Sequence, residues 1–148
     1  MRSFLVWAVS AATLCFGEPF GTWKMNPARS TFSQGVEIKS FAVRIEPHGK
    51  GEVFTIDRTE RDGRTRSSSS ILYFDGAARD FEGFECSGTQ ISRRLDRETV
   101  EILRNCGAGA WTKFVRHASP RPNELVLEIT DQGMDGRRFE ERLILEKQ

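Results

Sequence analysis

Between Lys39 and Pro47 a large apolar residue stands at every second position: Phe41, Val43 and Ile45 on one side of an extended chain, Ser40, Ala42, Arg44 and Glu46 on the other. A period of two marks a strand with one buried face. Pro47-His48-Gly49-Lys50-Gly51 ends this strand, and Glu52 to Glu60 resumes the alternation through Phe54 and Ile56. Arg61-Asp62-Gly63 then reverses the chain, Asp-Gly between alternating runs being a strong hairpin signal. Arg64 to Phe74 reads as a strand with a polar first half, because Ser67 to Ser70 runs into Ile71-Leu72-Tyr73-Phe74 with no Gly or Pro between. After the Asp75-Gly76 turn, Arg79 to Glu85 is a shorter strand interrupted by Gly83.

The later half repeats the pattern. Thr89 to Leu95 and Thr99 to Asn105 fold about the polar turn Asp96-Arg97-Glu98, and Trp111 to His117 follows the glycines of Gly107-Ala108-Gly109. Leu125, Leu127 and Ile129 mark the next strand, and Arg137 to Glu146 the last, with Phe139, Leu143 and Leu145 as its buried positions. No ten-residue stretch carries helical spacing. Only Asn26 to Ser30 suggests a brief helical corner, with Asn at a cap position and Pro27 in the first turn. The fold class is therefore all-β, an antiparallel up-and-down meander. A meander this long curls shut to protect its edges, and a closed or nearly closed barrel is expected ahead of a two-sheet sandwich.

The ends and the composition change this picture in one respect. Arg2 and the apolar run from Phe4 to Phe16 read as a secretory signal over residues 1–17, too short to span a bilayer as a helix. The rest, residues 18–148, is expected to be one exported domain, periplasmic or secreted, with no stable membrane insertion. Removing the signal takes away Arg2 and no acid, so the formal net charge falls from +1 to zero. Such a balance does not favour nucleic acid as a partner. Of three cysteines, Cys15 lies in the signal, and Cys86 and Cys106 flank the central hairpin in a compartment where disulfides persist. Either turn register sets Cys86 opposite Gly107 or Ala108, so a bond with Cys106 needs a bulge to suit it.

Gly21-Thr22-Trp23, placed just ahead of the first long strand, resembles the lipocalin and wider calycin pattern. Together with Lys24-Met25-Asn26, Ser30, Phe32, the Asp-Gly reversals and the ending Leu145-Glu146-Lys147-Gln148, the chain looks like the small exported lipocalin-like bacterial proteins. The resemblance implies an eight- to ten-stranded lipocalin-like barrel whose interior holds a small apolar molecule. It also implies that Trp23 closes one end beneath a stacking arginine, Arg138 or Arg142. Neither the second loop motif nor the flanking C-terminal helix of lipocalins is visible.

Candidate chemistry is sparse. His48 and His117 lack the spacing of a metal centre, the serine run lacks the frame of a nucleophile, and Gly107-Ala108-Gly109 lacks the context of a dinucleotide site. No metal, cofactor or catalytic residue is assigned, and the chain is not read as an enzyme. Glu82, Glu85, Glu140 and Glu141 are expected on a solvated surface. Arg93, Arg94 and Arg97 at one hairpin tip and Arg61, Arg64 and Arg66 at another are offset by Asp96, Glu98 and Asp62. Ser68 and Ser70 are expected first to face outward as a soluble edge; if they face inward, they join Tyr73 and Trp111 as the expected ligand-lining groups. The alternative is a filled barrel, structural or protein-binding, in which Phe41, Phe54, Tyr73, Trp111, Phe114 and Phe139 leave no room for a ligand.

Overall fold

The computed structural model describes residues 18–84 and 86–148; the expected signal peptide, residues 1–17, lies outside them. Among the described residues eleven strands follow one another: β1 Gly21–Met25, β2 Thr31–Phe32, β3 Ile38–His48, β4 Gly51–Glu60, β5 Thr65–Leu72 and β6 Arg79–Glu82, then β7 Ser87–Arg94, β8 Thr99–Gly107, β9 Ala110–Ala118, β10 Glu124–Gln132 and β11 Arg138–Lys147. The helical corner is a single 3-10 turn, Pro27–Arg29, whose Asn26 side chain accepts a hydrogen bond from the Ala28 amide (3.1 Å).

All pairings are antiparallel, in the order β5-β4-β3-β1-β11-β10-β9-β8-β7-β6, with β2 added beside β11. The Gly-x-Trp stretch is itself a strand. β1 sits between β3 and β11, with Trp23 opposite both Val43 and Lys147, and so joins the beginning of the meander to its end. The opening in the barrel wall therefore lies between β5 and the β6–β7 pair. The Pro27–Arg29 turn is clipped to the outside by Arg29, whose guanidinium donates to both carboxylate oxygens of buried Glu124 on β10.

Inward phases follow the alternation. Trp23 and Met25, Phe41, Val43 and Ile45, Phe54 and Ile56, Ile102, Phe114, Leu127 and Ile129, and Leu143 and Leu145 belong to one buried cluster. Phe54 and Phe114 meet edge to face across it, their centroids 6.3 Å apart, a favoured geometry for aromatic pairs. The middle of the barrel is thus packed with side chains, and free space is left at its ends.

Side chains and a single backbone bridge, Asp75 with Arg93, rather than a ladder, hold the seam where β5 runs out beside β7. The Ser70 hydroxyl donates to Gln90 Oε1 (3.0 Å), Gln90 Nε2 donates to the Ile71 backbone carbonyl (3.4 Å), and the Phe74 backbone amide donates to the Ser92 hydroxyl (3.0 Å). Phe74 takes a left-handed backbone angle, φ 58°, to make this turn, an uncommon conformation for a bulky residue. Fully buried Arg104 supports the seam from β8, donating to Gln90 (3.0 Å) and Ser70 (3.3 Å) and stacking on the ring of Phe81 at 4.0 Å.

Cys86 and Cys106 form a disulfide with a Cα separation of 5.5 Å. The central hairpin adopts the longer register: Thr89 faces Asn105, and the Leu95 amide bonds to the Thr99 carbonyl. The expected bulge is present, as an irregularity between Asn105 and Gly107 in the β8–β9 pairing. Gly88 makes it passable, because a Cβ there would stand 1.9 Å from the Asn105 carbonyl oxygen.

Candidate ligand site at the barrel mouth

The two ends of the barrel are built differently. At the end where β1 begins and β11 finishes, Trp23 is buried and its indole nitrogen donates to the Pro19 carbonyl (2.7 Å). The cation over its ring is Lys147, with Nζ 5.6 Å from the centroid. The expected arginines are elsewhere. Arg138 lies at the far end of β11, over Trp111 at 5.5 Å. Arg142 falls on the outer phase and approaches Glu128 at 3.8 Å. Lys147 holds this position because the register sets it directly across from Trp23. Below this cap the Arg116 guanidinium grips the Glu52 carboxylate with two hydrogen bonds, 2.8 and 2.9 Å, both side chains being buried. A hollow of about 240 Å³ reaches Arg116 from this end.

The opposite end is open. A cavity of about 890 Å³ is lined by the ends of β4, β10 and β11, the start of β5, the β4–β5 turn and the loop at 35–37. Arg58 projects into it from β4, donating to Glu60 (2.9 Å) and Glu141 (3.3 Å). Arg66, directly opposite Arg58 in the β4–β5 pairing, is exposed; among the described residues it makes no hydrogen bond or ion pair, and its charge acts on Asp62 in the adjoining turn. Val36 and Phe139 supply the apolar wall. The loop is tied at both ends: Ser33 exchanges hydrogen bonds with the Glu140 backbone, and Glu37 pairs with Arg61. A shallower hollow of about 420 Å³ adjoins the mouth through Val36, Glu37 and Arg61, and its floor is Phe32 and Ile38.

Two carboxyl groups in this mouth are out of their ordinary range. Burial pushes Glu141 up to about 7, with Arg58 opposing and Asp131 and Glu60 adding to the rise. Burial also raises Asp131, against the hydrogen bond it accepts from Thr112 (2.5 Å). Glu141 is 4% exposed, and its Oε2 has no hydrogen-bond partner among the described residues. The expectation of a solvated Glu141 is thereby corrected: the residue shares the inward phase of Leu143 and Leu145. The strand period held the signal for this, as it did for Glu52 beside Phe54, Arg104 beside Ile102 and Arg116 beside Phe114.

Of the four residues expected to line a ligand, the structure places two inside. Ser68 and Ser70 face inward, Ser70 bound into the seam and Ser68 buried with its hydroxyl unpartnered. Ser67 and Ser69 face outward, bonded to Asp57 and Thr55. Tyr73 lies outside, half-exposed under the Arg79 guanidinium at 4.1 Å and edge-on to His48. Trp111 is on the phase opposite to buried Thr112, Phe114 and Arg116 and so also lies outside. The out-of-phase position of each, one residue from a buried neighbour, removes them from the lining. Among the described residues no group of His, Cys, Asp and Glu is disposed to hold a metal ion, and no helix is long and apolar enough to cross a membrane.

A comparison of folds decides the architecture. The chain is similar to the crystal structure of zebrafish ileal bile acid-binding protein complexed with cholic acid, with a TM-score of 0.54 over 87% of this chain and 98% of that one, at 14% sequence identity. The fold is a calycin-type barrel. No protein-family model matches the chain, and no curated protein does. Within this calycin-type barrel the open, charged mouth and its apolar shelf form the largest space described above.

Proposed function

We propose that the protein is an exported lipocalin-like barrel that binds a small, largely apolar ligand, and that it takes this ligand at the open end. One observation carries the reading: the 890 Å³ mouth continues onto the apolar shelf of Phe32, Val36 and Ile38. Ligand sites are typically concave and apolar in the main; here the shelf supplies the apolar part, while the mouth it joins is lined mostly by charged residues. The fold neighbour is a protein complexed with cholic acid, which supports a ligand-binding use of such a barrel. The disulfide and the apolar stretch ahead of residue 18 support export, since disulfides persist in oxidising compartments. On this reading Ser68 lies beneath the ligand, while Trp23 with Lys147 closes the other end.

A filled barrel without a ligand is the second reading, favoured by the packing of Phe41, Phe54 and Phe114 through the centre. A neutral fluorescent probe, N-phenyl-1-naphthylamine, separates the two. Saturable uptake at one site, weakened by Val36→Asp or Phe139→Asp, is the expected result. No uptake by wild type leaves the filled barrel.

A further inference from the structure

Across the outer face of β4 and β5, facing side chains satisfy one another. Thr55 meets Ser69 (2.9 Å), Asp57 meets Ser67 (2.5 Å) and Thr59 meets Thr65 (3.0 Å), each pair directly opposite in the register. The outer face of β9, β10, β11 and β2 is different. Two outward rows cross it, Val115–Glu128–Arg142–Thr31 and Lys113–Thr130–Glu140, the second ending at Ser33. They line a trough of about 530 Å³. Among the described residues the side chains of Lys113, Thr130, Glu140 and Thr31 make no hydrogen bond or ion pair. Glu128 stands 3.8 Å from Arg142 and 3.6 Å from His117, beyond hydrogen-bond reach.

The rows carry both signs of charge in equal measure, Lys113 and Arg142 against Glu128 and Glu140, so their net field favours neither an anionic nor a cationic partner. Val115 is the one apolar side chain in them, too little to hold a ligand by burial. What remains is a set of donors and acceptors without partners, and a sugar matches such a set: each hydroxyl donates and accepts, and none needs a counter-charge. Trp111 is the next outward residue of β9, in a row with Gln132 and Arg138. From β9 to β2 there are three strand spacings, roughly 14 Å, which suits a chain of sugars better than a single one. We propose that this trough binds a neutral oligosaccharide, laid across β9, β10, β11 and β2 with one ring packed at the Trp111 indole. Lys113 and Arg142 donate to its oxygens, Glu128 and Glu140 accept from its hydroxyls, and Thr130 does both. The site lies on the outside of the wall and is independent of the ligand reading above.

The test is isothermal titration of the protein with cellohexaose, maltohexaose and chitohexaose, at low and at high salt, beside glucose and N-acetylglucosamine. At least one hexasaccharide should bind saturably at a single site, more tightly than its monosaccharide and with an affinity that salt leaves unchanged. Lys113→Ala and Glu140→Ala should each weaken it about tenfold, the loss expected of one charged hydrogen-bond partner, and should keep the wild-type unfolding midpoint. Val36→Asp, at the barrel mouth, should leave saccharide binding unaltered, so that the two sites fail separately. Absence of heat with all three hexasaccharides, binding that high salt abolishes, or undiminished affinity in both alanine variants overturns the assignment. A dimer in sedimentation that Lys113→Glu dissociates also overturns it, because a second copy then covers this face.

Discussion

Glu141 shows what a single residue in the inward phase of a strand does to the molecule. Its carboxyl is moved from the ordinary 4.5 to about 7 by burial. Between those values the folded chain keeps a proton that the unfolded chain has lost, so stability falls as pH rises through that window and levels off above about 7. The full shift corresponds to roughly 3–4 kcal/mol as an upper bound, at 1.36 kcal/mol per unit. Urea unfolding of wild type should therefore give a smaller free energy at pH 8 than at pH 5.5, and Glu141→Gln should remove most of the difference. Equal pH slopes in the two proteins would show that the burial is compensated by groups other than those described. Glu52 is buried as deeply, yet Arg116 meets it with two hydrogen bonds. One strand position can thus hold a satisfied charge or a frustrated one, depending on what stands across the barrel.

At the scale of the element, the β7–β8 hairpin depends on three local devices that agree with one another. The polar turn sets the register, Gly88 lets the strands approach, and the bulge between Asn105 and Gly107 accommodates the disulfide. The bond closes a loop with a sequence separation of 20, which in the chain-entropy treatment stabilises by about 3 kcal/mol. The double substitution Cys86→Ser/Cys106→Ser should lower the unfolding free energy by that order while leaving the β-sheet circular dichroism unchanged below the transition. A loss under about 0.5 kcal/mol would mean that the hairpin is held by its ladder alone. The turn residues and the cysteine pair were legible in the chain because each acts within a few residues or across one hairpin. The seam was not: Ser70, Gln90, Ser92 and Arg104 come from three strands, and nothing in the alternation says that β5 stops pairing where β6 is too short to meet it.

For the whole molecule, the seam makes stability uneven. β1, β10 and β11 are paired on both sides, whereas β5 and β6 end the strand order, and across the seam β5 meets β7 through side chains and one backbone bridge. Amides without ladder partners open at low free energy. Hydrogen exchange should therefore release β6 and the free edge of β5 well before the centres of β10 and β11, and Gln90→Ala should widen the gap. Uniform protection around the barrel would contradict the discontinuity. The mouth borders this side of the molecule through Arg64 and Arg66 of the β4–β5 turn and β5, so the site draws on the least constrained part of the wall.

The alternation of Phe41-Val43-Ile45, Phe54-Ile56 and Leu125-Leu127-Ile129, the Asp-Gly reversals and the absence of helical spacing were enough to determine an antiparallel all-β chain, because a strand's two faces follow from backbone geometry residue by residue. The same period placed Glu52, Arg104, Arg116 and Glu141 on the inner face. What they would meet there was decided only by curvature and register, which bring Glu52 to Arg116 across 64 positions and Arg58 to Glu141 across 83. Tertiary structure also chose Lys147 rather than Arg138 or Arg142 to cover Trp23, and put Tyr73 and Trp111 outside. A face is a local property of the chain, whereas a partner is set by closing the sheet upon itself.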